Sequence, residues 1–386
     1  MITKQLLLFF MKKITIRYKT VNDQTITWFE NKNEYVVLEN TTANILKEIN
    51  QGIPIDEIAE KLSLKLEVPL ENTIDFVLEL ERKFFKTKDK IEIVNNHSDV
   101  KRPTSFEYTK FYKINNIVFK IAYLSESELA YVHPKFDHLS TNEAIHYQNE
   151  FEVFIDHRYI FLFVNNEFIG AWSSDEIHYF QGKFSMELIQ KIHQKKENEW
   201  LGVFHASAIS NGKKSILLLG DSGNGKSTSL ALLQANGYTC LADDFVPVDA
   251  EKQEVFSFPA AISIKKNSLE TLLPLYPELK TSAEYNFKRL NKIVRYLKPN
   301  NTDFFAHLPC KDLIFIKYKK DAVLNCQKIS NIDAFQQLIP DSWLSAKKEN
   351  AKQFLAWFSS LNCYQLTYSK NKEMITIVEE IFNNDV

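Results

Sequence analysis

The residues that most clearly carry chemistry form a glycine-rich segment near the middle of the chain. Residues 220–227, with the sequence GDSGNGKS, match the phosphate-binding pattern G-x-x-x-x-G-K-[ST] at every fixed position. Glycines let successive backbone N–H groups turn toward one phosphate, and larger side chains there would block its approach. Lys226 is placed to reach the β- and γ-phosphates, and the Ser227 hydroxyl is placed to coordinate Mg²⁺. The segment therefore predicts a site for ATP and Mg²⁺, formed by Gly220, Asp221, Ser222, Gly223, Asn224, Gly225, Lys226, Ser227 and Thr228.

The sequence on either side of this loop favours the geometry that a phosphate site needs. Residues 216–219 are an apolar run typical of a buried strand, and an amphipathic stretch after the loop is typical of a helix. The helix is predicted to end near Asn236, because Gly237 stands in a usual stop position. A helix that begins directly after the loop adds the partial positive charge of its N-terminus to the site.

Two adjacent carboxylates follow the next predicted strand. Residues 238–242 are mostly apolar and run into Asp243 and Asp244. A carboxylate at the end of a strand beside a phosphate loop is where such folds hold the metal or position the attacking group. The pair predicts a division of roles, with one aspartate on Mg²⁺ and the other acting as the base for a hydroxyl nucleophile. A pair of aspartates that only terminates the strand is the alternative.

The segment 205–244 resembles the bacterial HPr kinase/phosphorylase family, which shares a nucleotide fold with the phosphoenolpyruvate carboxykinases. The matching elements, at matching spacing, are His205 in a strand, the loop 220–227, a helix, Gly237, and a strand that ends in Asp243 and Asp244. Without the other elements, a histidine before a phosphate loop would be read as a core residue.

The resemblance implies a role for each of these polar residues. Asp244 would take the proton from the acceptor hydroxyl, and His205 would lie beside it and tune its protonation. Lys226 would bind phosphate, Ser227 would bind Mg²⁺, and Asp243 would lie near the metal. The expected activity is that of a Ser/Thr kinase, which transfers phosphate to an alcohol.

The chain also departs from the family pattern. Thr228 stands where the family has a glutamate, and the C-terminal arginine motif linked to dephosphorylation has no recognisable counterpart. Arg289 and Arg295 are the only arginines between the loop and the C-terminus, so they are the candidates to meet a transferring phosphate. Glu270 is the nearest candidate for a second magnesium carboxylate. These departures predict kinase activity without phosphorylase activity.

Residues 14–85 form a separate predicted module of α+β, winged-helix-like class. Three β-branched and aromatic stretches predict strands at 14–18, 24–29 and 35–38, and three amphipathic stretches after them predict helices. The module resembles the PqqD-like family, which recognises precursor peptides in pathways that modify ribosomally made peptides. The matching residues are 35–38, 42–46, 51–52, 55–59 and 76–80.

That second resemblance implies a peptide partner. A leader peptide would add a strand to the sheet edge formed within residues 24–38 and would rest against the last helix. A generic winged-helix module is the alternative, and a formal net charge of −2 argues against its DNA-binding version.

Composition and turn-forming residues complete the predicted domain organisation. The polar stretch 86–104 predicts a linker, followed by an α/β kinase domain with a mixed sheet at 105–386, divided into a β-rich lead-in (105–200) and a nucleotide-binding core (201–386). The 4 cysteines form no C-x-x-C pair, and His133, His138 and His146 are expected to be solvated surface residues. No apolar run approaches the length of a membrane span, so a cytoplasmic protein is expected, with Met11 as an alternative start.

The two halves together predict an ATP-dependent kinase that phosphorylates a Ser or Thr of a precursor peptide captured by the N-terminal module. Tethering a poor substrate raises its effective concentration at the kinase site. Two alternatives stay open: a kinase of a small molecule such as free serine, and a non-catalytic, nucleotide-gated peptide-binding protein. Neither nucleic acid nor membrane is expected as a partner, and a homo-oligomer is possible.

Overall fold

The computed structural model describes residues 14–85, 100–142, 146–287 and 292–384, with several sheets in a mixed α/β fold. The strands are β1 (Ile16–Val21), β2 (Gln24–Phe29), β3 (Glu34–Glu39), β4 (Tyr108–Ile114), β5 (Ile117–Tyr123), β6 (Asn149–Asp156), β7 (Tyr159–Val164), β8 (Glu167–Ser173), β9 (Trp200–Phe204), β10 (Ser207–Ser210), β11 (Ser215–Leu219), β12 (Thr239–Asp243), β13 (Val246–Asp249), β14 (Glu254–Phe256), β15 (Ile262–Lys265), β16 (Tyr285–Phe287), β17 (Lys292–Leu297), β18 (His307–Tyr318), β19 (Asn325–Lys328), β20 (Ser342–Leu344) and β21 (Asn362–Tyr368). The helices are α1 (Asn40–Gln51), α2 (Ile55–Leu66), α3 (Leu70–Phe84), α4 (Glu126–Phe136), α5 (Ile177–His193), α6 (Lys226–Ala235), α7 (Leu269–Leu272), α8 (Asn331–Leu338), α9 (Lys348–Ser359) and α10 (Asn371–Asn383). None of these helices is long and apolar enough to cross a membrane.

The described residues divide into two compact units, and the division differs from the predicted one in one segment. The first unit contains residues 14–85 together with Ser345–Ser359, and the second contains the rest of the described chain. The sequence places 345–359 in the domain 105–386, whereas the contacts group this segment, which includes α9, with the N-terminal module. The predicted linker lies largely in 86–99, outside the described residues, so the domain boundaries stay a prediction.

The N-terminal unit is built on an antiparallel sheet in the order β1-β2-β3. The strands and helices predicted for this segment are present, with β1 and β3 slightly longer than expected. One face of the sheet carries Ile16, Phe29 and Val36, which pack with apolar residues of α1, α2 and α3. This packing forms the core of the unit, because each helix buries the apolar stripe that its sequence predicts.

The other face of the N-terminal sheet is also covered, although sequence alone gives no sign of it. Trp28 is fully buried on that face, and α9 supplies the aromatic side chains that pack there. The rings of Tyr35 in β3 and Phe354 in α9 meet edge to face, with centroids 5.3 Å apart. A helix from the C-terminal half of the chain therefore completes this unit.

The second unit begins with a mixed sheet in the order β4-β5-β6-β7-β8. Asn165 and Asn166, a residue pair that predicts a hairpin turn, join β7 to β8, and both have positive φ as such a turn requires. The sequence of residues 186–196 predicts a helix, and helix α5 begins earlier, at Ile177. Gly182 lowers the helix propensity of that first part, but the buried Ile177 and other apolar residues on the same face hold it in the helix.

Helix α4 is missed by the sequence prediction, and with it the setting of two histidines. Pro134 reads as a helix breaker but lies inside α4. His133 precedes it, and Nδ1 of its ring lies 2.8 Å from the Tyr112 hydroxyl. His138 is largely buried, and burial lowers its pKa to about 4. The expectation of solvated residues is therefore wrong for His133 and His138, whereas His146 is exposed.

The largest sheet among the described residues runs β12-β10-β11-β18-β14-β13-β9-β20, with β21 paired to β18 and β19 paired to β21. The sequence predicts a strand only at 313–317, whereas β18 is longer, because its first residues pair with β14 across Pro309 and its last with β11 and β21. Beside this sheet lies a smaller one in the order β15-β17-β16. Apolar residues of α6 and α10 form a common core with the large sheet.

Candidate functional site

The topology of the large sheet brings three sequence-distant segments to one edge. Strand β10 is antiparallel to both β11 and β12, so the start of β10 lies beside the ends of the other two. Ser207 at the start of β10 pairs with Leu218 in β11 and with Asp243 in β12. The glycine loop after β11, the aspartates that end β12 and His205 just before β10 are thereby assembled at one place.

The loop between β11 and α6 has the backbone conformation that its glycines predict. Gly220 has φ +132°, and a Cβ there would lie 2.6 Å from the carbonyl oxygen of Ile316, so only glycine fits. Gly223 has φ +101° with open space around it. The loop is also held from outside, because the Asn224 carbonyl accepts a hydrogen bond from the Tyr318 N–H at 2.9 Å.

Lys226, the first residue of α6, lies folded onto the loop. Its ammonium donates to the Gly220 carbonyl and lies 3.4 Å from the carbonyl oxygen of Asp221. Burial lowers the pKa of Lys226, and the nearby Asp244 and Asp243 oppose that effect. The ammonium is thus held where a phosphate bound in the loop would meet it.

Asp243 is the most tightly held acidic residue of the site. Its Oδ1 accepts from the Ser207 hydroxyl at 2.6 Å, and its Oδ2 accepts from the backbone N–H of Ser263 at 3.1 Å. The Ser227 hydroxyl lies 3.0 Å from Oδ2. Burial, together with the neighbouring Asp244, raises the pKa of Asp243 to about 6.

The oxygen atoms around Asp243 fit a small divalent cation. The Ser263 hydroxyl is buried and has no hydrogen-bond partner among the described residues. It faces the same cavity as Ser227, whose hydroxyl contacts Asp243. Mg²⁺ is bound in proteins by one or two carboxylates, hydroxyls, waters and substrate phosphates, so the donor set of Asp243, Ser227 and Ser263 suits it.

Asp244 faces the same cavity as the phosphate loop, with His205 beside it. The Nδ1 atom of His205 lies 3.9 Å from Oδ1 of Asp244, and both side chains are partly exposed. Asp244 has φ +64°, a conformation that is rare for residues other than glycine and frequent at functional sites. The backbone N–H of His205 donates to the Asp341 carbonyl at 3.3 Å, which fixes the histidine against the segment before β20.

Other residues of this cavity lie outside the predicted set. Ser263, Lys265, Asn267 and Ser268 line it from β15 and the turn that follows. The Ser268 and Thr228 hydroxyls are 2.7 Å apart, so this segment contacts the predicted loop directly. Their residue types form no motif; the only available signal is the alternation of apolar and polar residues along β15.

A second cavity, of about 300 Å³, lies on the other side of the loop. It shares His205 and Asp221 with the first cavity and is lined further by Gln337, Asp341 and Gln365. The sequence gives no indication of this cavity, because its walls come from separate segments that only the fold brings together.

Of the two arginines proposed from the sequence, Arg295 is engaged outside this site. Arg295 lies in β17, and its guanidinium donates to the carbonyls of Leu279, Lys280 and Ser282. This use of its donors makes it a structural residue, so the expectation that it meets phosphate is wrong. Arg289 falls outside the described residues.

Glu270, the predicted candidate for a second magnesium carboxylate, is not part of this site either. Glu270 lies exposed in α7 and does not line the cavity. Across the described part of the chain, no group of three or more His, Cys, Asp or Glu side chains is arranged to hold a metal ion. A cation at Asp243 would therefore depend on hydroxyl, water and phosphate oxygens for its other ligands.

The chain is similar to solved structures, although no family model and no curated protein matches it. Among the matching structures, that of the Hpr(Ser) kinase/phosphatase from Coxiella burnetii covers 47% of this chain and 95% of its own, with 11% sequence identity and a TM-score of 0.21.

Proposed function

We propose that the protein is an ATP-dependent kinase that phosphorylates a Ser or Thr hydroxyl of a peptide held by the N-terminal unit. The observation that carries the proposal is the assembly of a phosphate loop, a buried carboxylate bonded to Ser227 and an accessible carboxylate, Asp244, around one cavity. A site that only bound phosphate would not need the second carboxylate on the cavity wall.

Each residue then has a distinct part in the transfer. The loop N–H groups and Lys226 bind the β- and γ-phosphates and offset their negative charge. Asp243, Ser227 and Ser263 would hold Mg²⁺, which when bound neutralises charge on the phosphate oxygens. The acceptor oxygen forms a bond to the γ-phosphorus while the bond to the β–γ bridging oxygen breaks, and ADP leaves.

Asp244 is the group that receives the acceptor proton in this mechanism. It is within reach of solvent, so a hydroxyl of a peptide can approach it. His205, 3.9 Å away, is placed to modulate the charge on Asp244. The positive φ of Asp244 turns the chain sharply after β12, which separates its carboxylate from that of the buried Asp243.

The N-terminal unit offers a sheet edge for the peptide. Among the described residues, β3 pairs only with β2, so its outer edge is available for strand addition. The opposite edge strand, β1, lies against α9, where Arg17 Nε donates to the Lys348 carbonyl at 3.4 Å. We infer that β3 is the docking strand, with α3 ending nearby, since Asn31 in the β2–β3 turn donates to the Phe84 carbonyl at 3.2 Å.

The proposal is tested by mass spectrometry of precursor-like peptides incubated with Mg²⁺-ATP and the protein. We expect the wild type to add one phosphoryl group, and Lys226→Ala to add none. Asp244→Asn is the sharper variant, because it should bind ATP normally while transfer is lost. Phosphorylation of free serine with no reaction on any peptide would favour the small-molecule kinase, and ATP binding without any product would favour a nucleotide-gated binding protein.

A further inference from the structure

Lys265 is a second lysine on the phosphate cavity, and no motif identifies it. It is the last residue of β15, where the buried Ile264 precedes it and the exposed Lys266 follows it. Its Nζ lies 2.9 Å from the hydroxyl of Ser222, the third residue of the phosphate loop. The lysine therefore contacts the loop from β15, a strand that belongs neither to the phosphate loop nor to the helix after it.

The position of Lys265 is fixed by contacts on both sides of it. Two residues earlier, the Ser263 backbone N–H donates to Asp243 at 3.1 Å. Three residues later, the Ser268 hydroxyl lies 2.7 Å from that of Thr228 in α6. The segment is thus anchored to the metal-site carboxylate at one end and to the helix after the loop at the other, which preorganises the lysine over the loop.

The charges at this point favour an anion. Lys265 and Lys226 line the same phosphate cavity. Within the described residues, no carboxylate lies at ion-pair distance from the Lys265 ammonium, which donates a hydrogen bond to the neutral Ser222 hydroxyl. Two ammonium groups held near each other repel, and a polyphosphate between them relieves that repulsion.

We propose that Lys265 is a phosphate-binding residue that reaches the polyphosphate of the bound nucleotide from β15 and, together with Lys226, offsets its negative charge. The inference rests on the proposed function only in taking a nucleoside triphosphate as the ligand. It supplies the second cation for which the sequence offers only arginines, one of which, Arg295, is committed to backbone carbonyls.

The test compares four single variants of the full-length protein by calorimetric titration with ATP. Lys265→Ala removes the charge, Lys265→Arg keeps it, and Lys266→Ala is the matched control on the neighbouring lysine, which does not line the cavity. Ser222→Ala removes the hydroxyl partner of Lys265 and leaves the ammonium in place. Thermal unfolding of each variant checks that the fold is intact.

We expect Lys265→Ala to weaken ATP binding roughly tenfold to a hundredfold, because charge-assisted hydrogen bonds to phosphate contribute on that scale. Lys265→Arg and Lys266→Ala should each bind ATP within about threefold of the wild type, which is the spread expected without a lost ionic contact. Ser222→Ala changes the phosphate loop itself, so it should weaken ATP binding, but less than Lys265→Ala does, because the ammonium of Lys265 is kept. The same comparison with AMP should show a much smaller effect of Lys265→Ala.

Two results would overturn the inference. Unchanged ATP affinity in Lys265→Ala would show that Lys265 does not contact the nucleotide. An equal loss of ATP affinity in Ser222→Ala, with no rescue by Lys265→Arg, would show that Lys265 only supports the loop. These results are separate from the fate of the kinase proposal. If the wild type binds ATP but phosphorylates no peptide, the peptide-kinase proposal is refuted and the ATP affinities still test the role of Lys265. If the wild type binds no ATP, both the kinase proposal and the role of Lys265 are refuted.

Discussion

Asp243→Asn is the perturbation that most directly tests the electrostatics of this site. Asp243 is buried, and among the described residues no lysine or arginine lies at ion-pair distance from its carboxylate. Burial and the nearby Asp244 raise its pKa from 3.8 to about 6. At about 1.4 kcal/mol per pH unit, the charged carboxylate lowers the free energy of unfolding by about 3 kcal/mol above pH 6.

Asparagine preserves the hydrogen bonds of Asp243 while it removes the charge. Its amide oxygen can accept from the Ser263 N–H, whose direction is fixed by the backbone. Its amide nitrogen can donate to the hydroxyl oxygens of Ser207 and Ser227, because both hydroxyls can rotate to accept. The expected change in stability is therefore the electrostatic contribution alone.

The sign of the effect depends on pH. Below about pH 3 the carboxyl of Asp243 is protonated in both the folded and the unfolded chain, so wild type and variant should be equally stable. As pH rises from about 4 to 6 the wild type loses stability that the variant, which has no titrating group there, keeps. We expect Asp243→Asn to exceed the wild type by about 3 kcal/mol at pH 8 in free energy of unfolding.

The assay is urea and thermal unfolding, followed by tryptophan fluorescence at pH 3 and pH 8 with a chelator present. In buffer without chelator, Mg²⁺-ATP should stabilise the wild type more than the variant, since ligand that binds the folded state raises its stability and the variant lacks the metal-site carboxylate. A variant that is no more stable than the wild type at pH 8 would refute the assignment of a charged, unpaired carboxylate to this position.

Asp249→Asn is the matched control for this experiment. Asp249 is also fully buried, but its carboxylate forms an ion pair with Lys195. Its replacement leaves the largely buried ammonium without its partner, so the variant should be less stable than the wild type at pH 8. Opposite signs for the two aspartates would show that the pairing of the charge, and not burial by itself, decides the outcome.

Three further predictions address catalysis, the loop and the peptide edge. Asp244→Asn should lower kcat by about 10²- to 10⁴-fold with ATP affinity preserved, and steady-state kinetics beside calorimetry would expose a base located elsewhere if kcat is retained. Gly223→Ala and Gly212→Ala both place a Cβ at positive φ in open space and should each lower the free energy of unfolding by about 1 kcal/mol. Only Gly223→Ala should weaken ATP binding, by tenfold or more. Equal ATP affinities of the two variants would show that Gly223 does not contribute to the phosphate site. A bound leader peptide should slow hydrogen exchange in Glu34–Glu39 and not in Ile16–Val21, and protection of the latter strand instead would move the docking edge to β1.

The fold is predictable from sequence where local signals and tertiary structure agree. In the N-terminal unit each helix has a clear apolar stripe, and each strand is short and bounded by polar turns, so the elements are correctly predicted. The signals fail where proline or glycine lies inside an element, as Pro134 does in α4 and Pro309 in β18. At these positions packing overrides the local preference, which no single-sequence pattern records.

The candidate site is likewise predictable from sequence in one part and not in another. The loop, Lys226, Ser227 and the aspartate pair lie within one β-α-β stretch. The structure places the loop, Lys226, Ser227 and Asp244 around one cavity, with the buried Asp243 bonded to Ser227. Ser263 and Lys265 come from a different sheet, and their contacts with Asp243 and Ser222 depend on the pairing of β15 with β17. Contacts of that kind arise from topology, so residue types alone cannot indicate them.

Helix α9 bears directly on how peptide recognition should be studied. It belongs to the N-terminal unit, yet in sequence it lies between β20 and β21, two strands of the sheet that carries the phosphate site. Deletion of residues 1–100 would remove the sheet that covers its aromatic side chains, including the buried Phe354. Loss of activity in such a truncation would then reflect an exposed apolar helix as much as a lost peptide site. Changes made in β3 at residues other than Tyr35, which packs on Phe354, leave α9 covered. Such changes separate recognition of the peptide from the integrity of the unit that binds it.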